Sequence, residues 1–281
     1  MGTLKNLVLI LLGFFIAEVP LVCAGETLDR IKLTGVLRSP VPDIWPPGVI
    51  KNEAGELDGF DVAVLREIGK RLRVKIEYVT NPDGSIVTWA EQTSGNWGRK
   101  YDIVVNSMAP TAKRAEHLAF PVNYYYQLGV LAVHHDNTII KKPADAGNKR
   151  IGALKGANYE MYLRRQPFGI VNAPPVTYKI DDPIIVLYDH EEQAFDALAK
   201  GDGVEIDGFV NYLPTVMALI KEGKPFKIVG LPLYRVPQAV AILPGDLELA
   251  ELLKTTVEQM QADGTLSKLS MRWYEFDLTQ P

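Results

Sequence analysis

The chain has 281 residues, of which 47% are hydrophobic, and its formal net charge is −4 at pH 7. This length and composition exclude a disordered or fibrous chain and predict two compact units, each with a buried core. The acidic balance and the lack of a basic cluster interleaved with aromatic residues argue against a nucleic-acid partner.

The first residues predict a secretory signal. An apolar run from Leu7 to Ala17 precedes Val22-Cys23-Ala24, small residues that suit cleavage by signal peptidase. We therefore interpret Met1–Ala24 as a signal peptide, which predicts export to the periplasm. A membrane anchor is the alternative, but the run is about half of the roughly 20 apolar residues that a span needs. Lipidation of Cys23 stays open, and since Cys23 is the only cysteine, the predicted mature chain has no disulfide.

The first half of the mature chain alternates strand-like and helix-like segments. Ile31–Leu37 alternates as a strand, and Asp61–Leu72 has the apolar spacing of a helix, with Asp61 as its expected cap. Val74–Val79 is again strand-like, so a β-α-β unit with parallel strands is predicted. Tyr101–Val105 is an apolar run of the kind that forms a strand buried on both faces.

The pattern repeats beyond Lys149. Strands are predicted at RIGALKG, VLYD and Ile206–Val210, and helices at Asn158 and over Glu191–Lys200. The tail predicts two amphipathic helices parted by Asp263-Gly264. Two further apolar segments, Leu128–Val133 and Ala239–Leu243, have the extended character that a two-stranded connection between the units requires.

Four segments together carry a resemblance to a known family. They are GELDGFDVAVLREIGKRL, YDIVVNSMAPTAKRAEHLAFPVNYY, RIGALKGANYEMYL and ADGTLSKLSMRWY. In this order they resemble the Gly-Phe-Asp helix entry, the T-x-x-R segment, the second-lobe loop and the terminal helix of amino-acid-type (family 3) solute-binding proteins, which serve bacterial ABC importers.

The resemblance implies an α/β fold of the two-lobed periplasmic-binding-protein class, type II. Each lobe is then a mainly parallel sheet flanked by helices, and two strands form the hinge. One lobe is expected at residues 25–129, completed by 239–281, and the other at 130–238. The protein is expected to be a monomer without cofactor or metal that closes over a small carboxylated ligand and delivers it to a permease of the inner membrane.

By the same resemblance, Arg114 is the clamp for the ligand's carboxylate. A guanidinium is a planar fork of donors that matches a carboxylate, and the helix start after it adds unpaired N–H groups. Ser107 and the backbone at Ala109 are expected beside it. From spacing alone, the alternative is a surface ion pair with Glu116 or Glu91.

The second lobe is expected to approach the same anion through Ala157 and Asn158. Together with Gly156 they follow a predicted strand and open a helix, so their N–H groups can form an anion nest. The alternative is an ordinary loop with Asn158 as a helix cap.

Two tryptophans are expected to hold the ligand side chain between them. The resemblance places Trp89 under the ligand and Trp45 opposite, and aromatic faces bury methylene groups and attract cations. Either residue could instead belong to the core. The loop Arg38–Pro47 is longer than the family pattern, so the register of Trp45 is open.

One position departs from the family pattern. Members that bind free amino acids present an aspartate to the α-ammonium, and this chain has Tyr212 or Asn211 there, depending on the alignment. The departure favours a ligand whose nitrogen is substituted, shielded or absent, such as an opine-like conjugate in a cleft with Arg38 or Asp43 on its rim. Alternatively, a carboxylate such as Asp189 or Asp43 reaches the ammonium.

The rival hypothesis is an exported dehydratase of the cyclohexadienyl or prephenate type on the same fold. It needs one acid in the cleft, for which Asp189, Glu160 and His190 are the candidates. A metal site is not expected at His134-His135, because adjacent residues on a strand point to opposite faces.

Overall fold

The structure is a computed structural model that describes residues 26–42 and 44–280. The predicted signal peptide Met1–Ala24, with Cys23, and the predicted rim residue Asp43 lie outside the described residues. Of the helices described, none combines the length and the apolar character needed to cross a membrane.

Helices and strands alternate along most of the chain. The helices are α1 Glu26–Thr34, α2 Phe60–Leu72, α3 Trp89–Ser94, α4 Ala112–Ala115, α5 Asn158–Leu163, α6 Glu191–Ala199, α7 Leu213–Lys221, α8 Leu247–Ala262 and α9 Thr265–Tyr274, with a 3-10 turn at Pro143–Ala146. The strands are β1 Val36–Pro40, β2 Ile50–Lys51, β3 Leu57–Asp58, β4 Lys75–Val79, β5 Val104–Met108, β6 Ala119–His134, β7 Arg150–Leu154, β8 Ile184–Tyr188, β9 Gly208–Tyr212 and β10 Phe226–Ile242.

Two long strands run through both lobes. β6 and β10 pair antiparallel from Ala119 and Ile242 at one end to His134 and Phe226 at the other. They lie inside a six-stranded sheet of order β5-β10-β6-β9-β7-β8. The predicted strand character of Leu128–Val133 and Ala239–Leu243 is thereby confirmed, except that β10 ends at Ile242.

The first lobe is built on parallel strands covered by helices. β1 pairs parallel with β4, and α2 connects them through the short β2–β3 pair, which confirms the predicted β-α-β unit. The apolar face of α2 packs against α8 and α9 in one buried cluster, where Leu65 and Ile68 meet Leu253 and Leu266. Helical spacing of these residues puts them on a single face of each helix.

The second lobe has a parallel core with helices on both faces. β7 pairs parallel with β8 and β9. Ile151 and Tyr159 belong to the cluster on the α5 side, whereas Phe209 and Leu198 belong to the cluster on the α6 side. Each face of this sheet is therefore buried, as its apolar strands predict.

The prediction of a strand at Ile31–Leu37 is wrong for its first part. The helix α1 extends to Thr34, Gly35 leaves it at φ 65°, and β1 starts at Val36. Leu28 and Ile31 are one helical turn apart and both are buried. A short run can satisfy the strand period and the helix period at once, and here packing against α8 decides for the helix.

The predicted capping role of Asp61 is also wrong. The N-cap of α2 is Gly59, and Asp61 lies in the first turn with its side chain fully buried. The boundaries of two strands differ as well. β5 begins at Val104 rather than Tyr101, and β9 covers Gly208–Tyr212 rather than Ile206–Val210.

Candidate functional site

The candidate site begins in the loop that follows β5. This loop enters the short helix α4 through Thr111, whose hydroxyl accepts a hydrogen bond from the Arg114 N–H at 3.4 Å. Thr111 and Arg114 are therefore the N-cap and N3 residues of one turn, which is the helix start that the T-x-x-R spacing predicts.

Arg114 is half-buried and has no carboxylate partner among the described residues. Its Nη1 donates to the Ala109 carbonyl at 2.8 Å, and its guanidinium lies 5.1 Å from the centre of the Trp89 ring. Burial lowers the pKa of this guanidinium. Among the described residues, Arg114 forms neither of the alternative ion pairs, with Glu116 or with Glu91, and Glu91 instead accepts the Thr88 N–H at 2.8 Å. A partly desolvated cation without an anion is an electrostatic deficit that a bound carboxylate would relieve.

Ser107 anchors the start of this loop through hydrogen bonds to buried residues. Its φ of 46° lies in the left-handed region, and its N–H donates to the Tyr124 hydroxyl at 2.8 Å. Its own hydroxyl donates to Asp61 at 3.0 Å and is hydrogen-bonded to the Tyr125 hydroxyl. In this arrangement the Ser107 side chain serves the loop's geometry, and a direct contact with a ligand stays a prediction.

Asp61 is the centre of this buried network. Its carboxylate also accepts from the Tyr124 hydroxyl at 2.7 Å. Burial raises the pKa of the Asp61 carboxyl to about 7, although hydrogen bonds from Tyr124 and Ser107 lower it in part. Desolvation, followed by the Asp61 charge, raises the pKa of the Tyr125 hydroxyl.

A chain of amide side chains fixes Trp45 beside the loop. The Trp45 indole Nε1 donates to Asn106 Oδ1 at 2.8 Å, and Asn106 Nδ2 donates to Gln92 Oε1 at 3.0 Å. Asn106 and Gln92 are both buried. Sequence reasoning missed these two residues, although an asparagine directly after a buried apolar run was a usable signal.

Trp89 lies at the surface rather than in the core. It is the first residue of α3, behind a capping box of Thr88 and Glu91, and 38% of it is exposed. Trp45 is half-buried. The structure therefore brings Trp45, Trp89 and Arg114 to one edge of the first lobe, and their contact with a ligand stays a prediction.

Two of the three N–H groups of the predicted anion nest are hydrogen-bonded within the second lobe. The Gly156 N–H donates to Glu160 Oε2 at 2.7 Å, and the Ala157 N–H donates to the Leu154 carbonyl at 3.3 Å. The Gly156 hydrogen bond, followed by the one from Arg164, lowers the pKa of Glu160. An acidic residue one turn into α5 reaches back to the helix start, so Gly156 and Ala157 offer no free N–H to an anion in this state.

Asn158 and Tyr212 form a neutral pair in the second lobe. Asn158 Nδ2 donates to the Tyr212 hydroxyl at 2.8 Å. Desolvation raises the pKa of Tyr212 to about 12, so the phenol is uncharged at neutral pH. Asn211 is 2% exposed, and its Oδ1 accepts the Tyr212 N–H at 2.6 Å. Of the two alternatives, Tyr212 is the less buried residue, and its contact with a ligand stays a prediction.

Other charged candidates are engaged elsewhere. Asp189 is exposed and lies 3.8 Å from the Lys155 ammonium. The Arg38 guanidinium pairs with the buried Asp102 at 3.2 Å, and its place on the cleft rim stays a prediction. Arg30 binds the same carboxylate at 2.5 Å, so Arg38 belongs to an ion cluster under β1.

The geometric reason given against a metal at His134-His135 is wrong. β6 ends at His134, so the two rings lie 4.7 Å apart, and the donor atoms of His134, His135 and Asp136 all lie within 4.8 Å of one another. However, His134 Nδ1 accepts the Asp136 N–H at 3.3 Å, and the Lys227 ammonium donates to the His135 carbonyl at 2.8 Å. The lone pair of His134 Nδ1 is thus occupied, and the Lys227 ammonium repels a metal ion. We therefore assign no metal site to these residues.

Comparison with known proteins places these features in context. Residues 38–276 match the pattern of the bacterial extracellular solute-binding proteins, family 3. A probable amino-acid ABC transporter-binding protein of Haemophilus influenzae is 25% identical over 259 residues, which are 92% of this chain and 91% of the relative. A histidine-binding periplasmic protein of Salmonella typhimurium is 27% identical over an alignment of 244 residues that covers 83% of this chain and 85% of the relative.

A solved structure shares the fold. The L-cystine solute receptor of Neisseria gonorrhoeae, in its unliganded open conformation, superposes with a TM-score of 0.72 at 21% identity and covers 92% of this chain and 100% of that one. The predicted α/β fold of two-lobed type II periplasmic binding proteins is thereby confirmed.

Proposed function

Because the chain belongs to the bacterial extracellular solute-binding proteins, family 3, we propose that it captures an amino acid or an amino-acid-derived carboxylated solute for an ABC permease. It acts in the periplasm as a monomer, after removal of residues 1–24. The ligand enters between the two lobes and is held by its carboxylate.

One observation carries this proposal. Arg114 is a half-buried cation at the edge of the first lobe, and no carboxylate of the described chain neutralises it. The Ala109 carbonyl and the Trp89 ring orient the guanidinium and leave donors unused. A ligand carboxylate can take a bidentate geometry there, which a point charge such as a lysine would not impose.

The second lobe discriminates between ligands with a primary ammonium and ligands with a substituted nitrogen. Tyr212, paired with Asn158, supplies hydrogen bonds without a negative charge. A buried primary ammonium would lose part of the compensation for its desolvation beside such a neutral pair. We therefore favour a ligand whose nitrogen is substituted, as in an opine-like conjugate of an amino acid.

Hinge closure delivers the ligand. Contacts from both lobes exist together only in the closed state, so binding shifts an open–closed equilibrium toward closure. β6 and β10 supply the two strands about which such a rotation takes place. The permease then recognises the closed shape.

A thermal-shift screen of residues 25–281 tests the proposal. The panel consists of amino acids, opines, betaines and dicarboxylates, and a ligand at 100 times its Kd stabilises a protein by about 2.7 kcal/mol. At least one carboxylated compound should raise the melting temperature of the wild type and leave that of Arg114→Ala unchanged. Equal shifts in both proteins would contradict the role of Arg114, and no shift from any compound would contradict the ligand class.

The nitrogen preference has its own test. Isothermal titration compares a free amino acid with its N-substituted counterpart, on the wild type and on Tyr212→Asp. The wild type should prefer the substituted compound, and Tyr212→Asp should shift the preference toward the free amino acid. Binding of the free amino acid to the wild type about tenfold more tightly would contradict the opine-like class and leave capture of a carboxylated solute intact.

The dehydratase alternative receives no specific support from its three acid candidates. Asp189 is exposed beside Lys155, and Glu160 is bound to Gly156 and Arg164 with a lowered pKa. His190 is exposed at the start of α6. Incubation with prephenate-like acids decides the matter, since steady turnover would replace the binding proposal.

A further inference from the structure

A short antiparallel bridge joins the loop before Arg114 to the second lobe. The Ala112 N–H donates to the Gly169 carbonyl at 2.7 Å. The Val171 N–H donates to the Pro110 carbonyl at 2.9 Å. Both distances are those of ordinary strong backbone hydrogen bonds. The loop that presents Arg114 is thus tied to the second lobe by main-chain atoms.

The partner of this loop is a long connection between α5 and β8, residues 164–183, which we call the strap. Phe168 is buried in the second lobe, with its ring edge-on to Tyr234 at 4.8 Å. The Lys179 N–H donates to the Tyr162 hydroxyl at 2.8 Å, and its ammonium donates to the Pro232 carbonyl at 2.5 Å. These contacts fix the strap to the second lobe on both sides of its tip.

The tip of the strap has a turn that aims its carbonyl at the first lobe. Gly169 has φ 64°, a conformation that side-chain-bearing residues rarely adopt, and nothing lies within 4 Å of a Cβ added there. Ile170 follows, and both Ile170 and Ala109 pack against the same buried cluster of the second lobe. The bridge is therefore accompanied by an apolar contact between the lobes.

The position of the bridge matters for the hinge. β6 and β10 already connect the lobes, and the bridge is an additional main-chain attachment at the loop that carries Arg114. A rotation that opens the cleft must either break both hydrogen bonds or pull the strap out of its packing. Arg114 is separated from Ala112 by a single residue, so its loop is placed by the second lobe as well as by the first.

We propose that the strap is a latch that holds the Arg114 loop against the second lobe in the free protein and limits hinge opening. The latch makes the unliganded molecule more closed than two hinge strands alone would leave it. It also positions Arg114 before a ligand arrives, which lowers the ordering cost of binding. This inference concerns the free protein and does not depend on which solute is bound.

Double electron–electron resonance on the free protein tests the latch. Residues 25–281 have no cysteine, so spin labels can be attached at Ala54→Cys in the first lobe and Glu192→Cys in the second, both exposed positions. The test variant is Ala112→Pro, which removes one N–H of the bridge. Ala112 is the first residue of α4, where proline is tolerated, and Thr111 before it is already extended at ψ 153°.

The control is Leu247→Pro, at the exposed first position of α8 and away from the bridge. Loss of one net hydrogen bond shifts a two-state equilibrium by about two- to tenfold. Ala112→Pro should increase the ratio of longer to shorter interlobe distances by such a factor, and Leu247→Pro should leave it unchanged. Val171→Pro, which removes the other donor, should act in the same direction.

Either of two results would overturn the proposal. If Ala112→Pro melts cooperatively and keeps the wild-type distance distribution without added ligand, the bridge does not limit opening. A shift of equal size in Leu247→Pro would also overturn it, because the effect would then be a general consequence of proline. If Val171→Pro fails to fold, Ala112→Pro alone decides.

Discussion

The Arg114 guanidinium is half-buried, and within the described chain it contacts the Ala109 carbonyl oxygen and the face of the Trp89 ring. Neither neutralises the guanidinium. Trp45 is fixed beside the same loop by its hydrogen bond to Asn106, and Trp89 lies under the guanidinium. A ligand with a carboxylate and an apolar substituent would use both kinds of group.

Replacement of Trp89 by alanine should weaken ligand binding. The mutation removes the ring under the guanidinium, and aromatic or cation–π contacts of this kind contribute about 0.5–2 kcal/mol, or roughly two- to thirtyfold in affinity. Trp89→Phe is the matched control and should retain most of the affinity. Titration with a hit from the thermal-shift screen measures both. Wild-type affinity in Trp89→Ala, with an unchanged fluorescence response, would place Trp89 outside the site.

Asp61 should make stability fall as the pH rises through the acid range. Burial raises the pKa of its carboxyl to about 7 in the folded protein, from 3.8 for an aspartate side chain in water. Between these values the folded state keeps a proton that the unfolded chain has lost. The contribution of Asp61 to the free energy of unfolding is therefore full below about pH 4 and is lost by about pH 7. The total is about 4 kcal/mol at roughly 1.4 kcal/mol per pH unit.

Urea unfolding of the wild type and of Asp61→Asn at several pH values isolates this contribution. The other titrating groups are common to both proteins, so the difference in unfolding free energy reports Asp61. The wild type should lose stability relative to Asp61→Asn between pH 4 and pH 7 and show no further relative change above. A constant difference across the range would mean that Asp61 titrates at an ordinary pKa.

At the scale of elements, α1 and α8 share one capping residue. Asp246 accepts the Leu249 N–H at 2.9 Å as the N-cap of α8 and the Leu28 N–H at 3.0 Å near the start of α1. Asp246 is buried. One carboxylate therefore satisfies an N–H group at the start of each helix and holds the two helices together.

Replacement of Asp246 by alanine should destabilise the protein by about 1–4 kcal/mol, since a single cap is worth about 0.5–2 kcal/mol and two helices lose it. Glu248→Ala is the control, because Glu248 is exposed on the same helix and makes only a surface ion pair with Lys32. Urea denaturation measures both. Equal stability of the two variants would show that the shared cap contributes little.

The sequence predicted those elements whose local pattern and tertiary packing agree. Regular apolar spacing predicted α2, and the alternation after Lys149 predicted β7 and α6. The sequence pattern failed for α1, because Ile31–Leu37 fits both the strand period and the helix period. Only contact with α8 selects the helix. Helix α7 and the strap were also missed, since the strap is irregular and its partners are distant in sequence.

The candidate site was predicted to a similar extent. The T-x-x-R spacing predicted the helix start at Thr111, whereas the place of Trp89 under a ligand stays a prediction. The hydrogen bond from the Gly156 N–H to Glu160 was not predicted, because whether Glu160 reaches back depends on its rotamer. The ion pair of Arg38 with Asp102 likewise depends on strand register, which the longer loop obscured.

At the scale of the whole molecule, two lobes share two continuous strands and meet again at the latch. In the proposed sequence of events, Arg114 captures a carboxylate on the first lobe, and closure about β6 and β10 adds the contacts of the second lobe. We propose that the carboxylate–guanidinium contact supplies much of the binding free energy.

Isothermal titration of residues 25–281 tests that claim most directly. The ligand with the largest thermal shift is compared with its own primary amide, on the wild type and on Arg114→Ala. Loss of a charge partner costs about 2–5 kcal/mol, so the wild type should bind the acid at least about 30-fold more tightly than the amide. Arg114→Ala should bind both weakly and alike. Equal affinity of the wild type for acid and amide, or an acid preference retained in Arg114→Ala, would contradict the account.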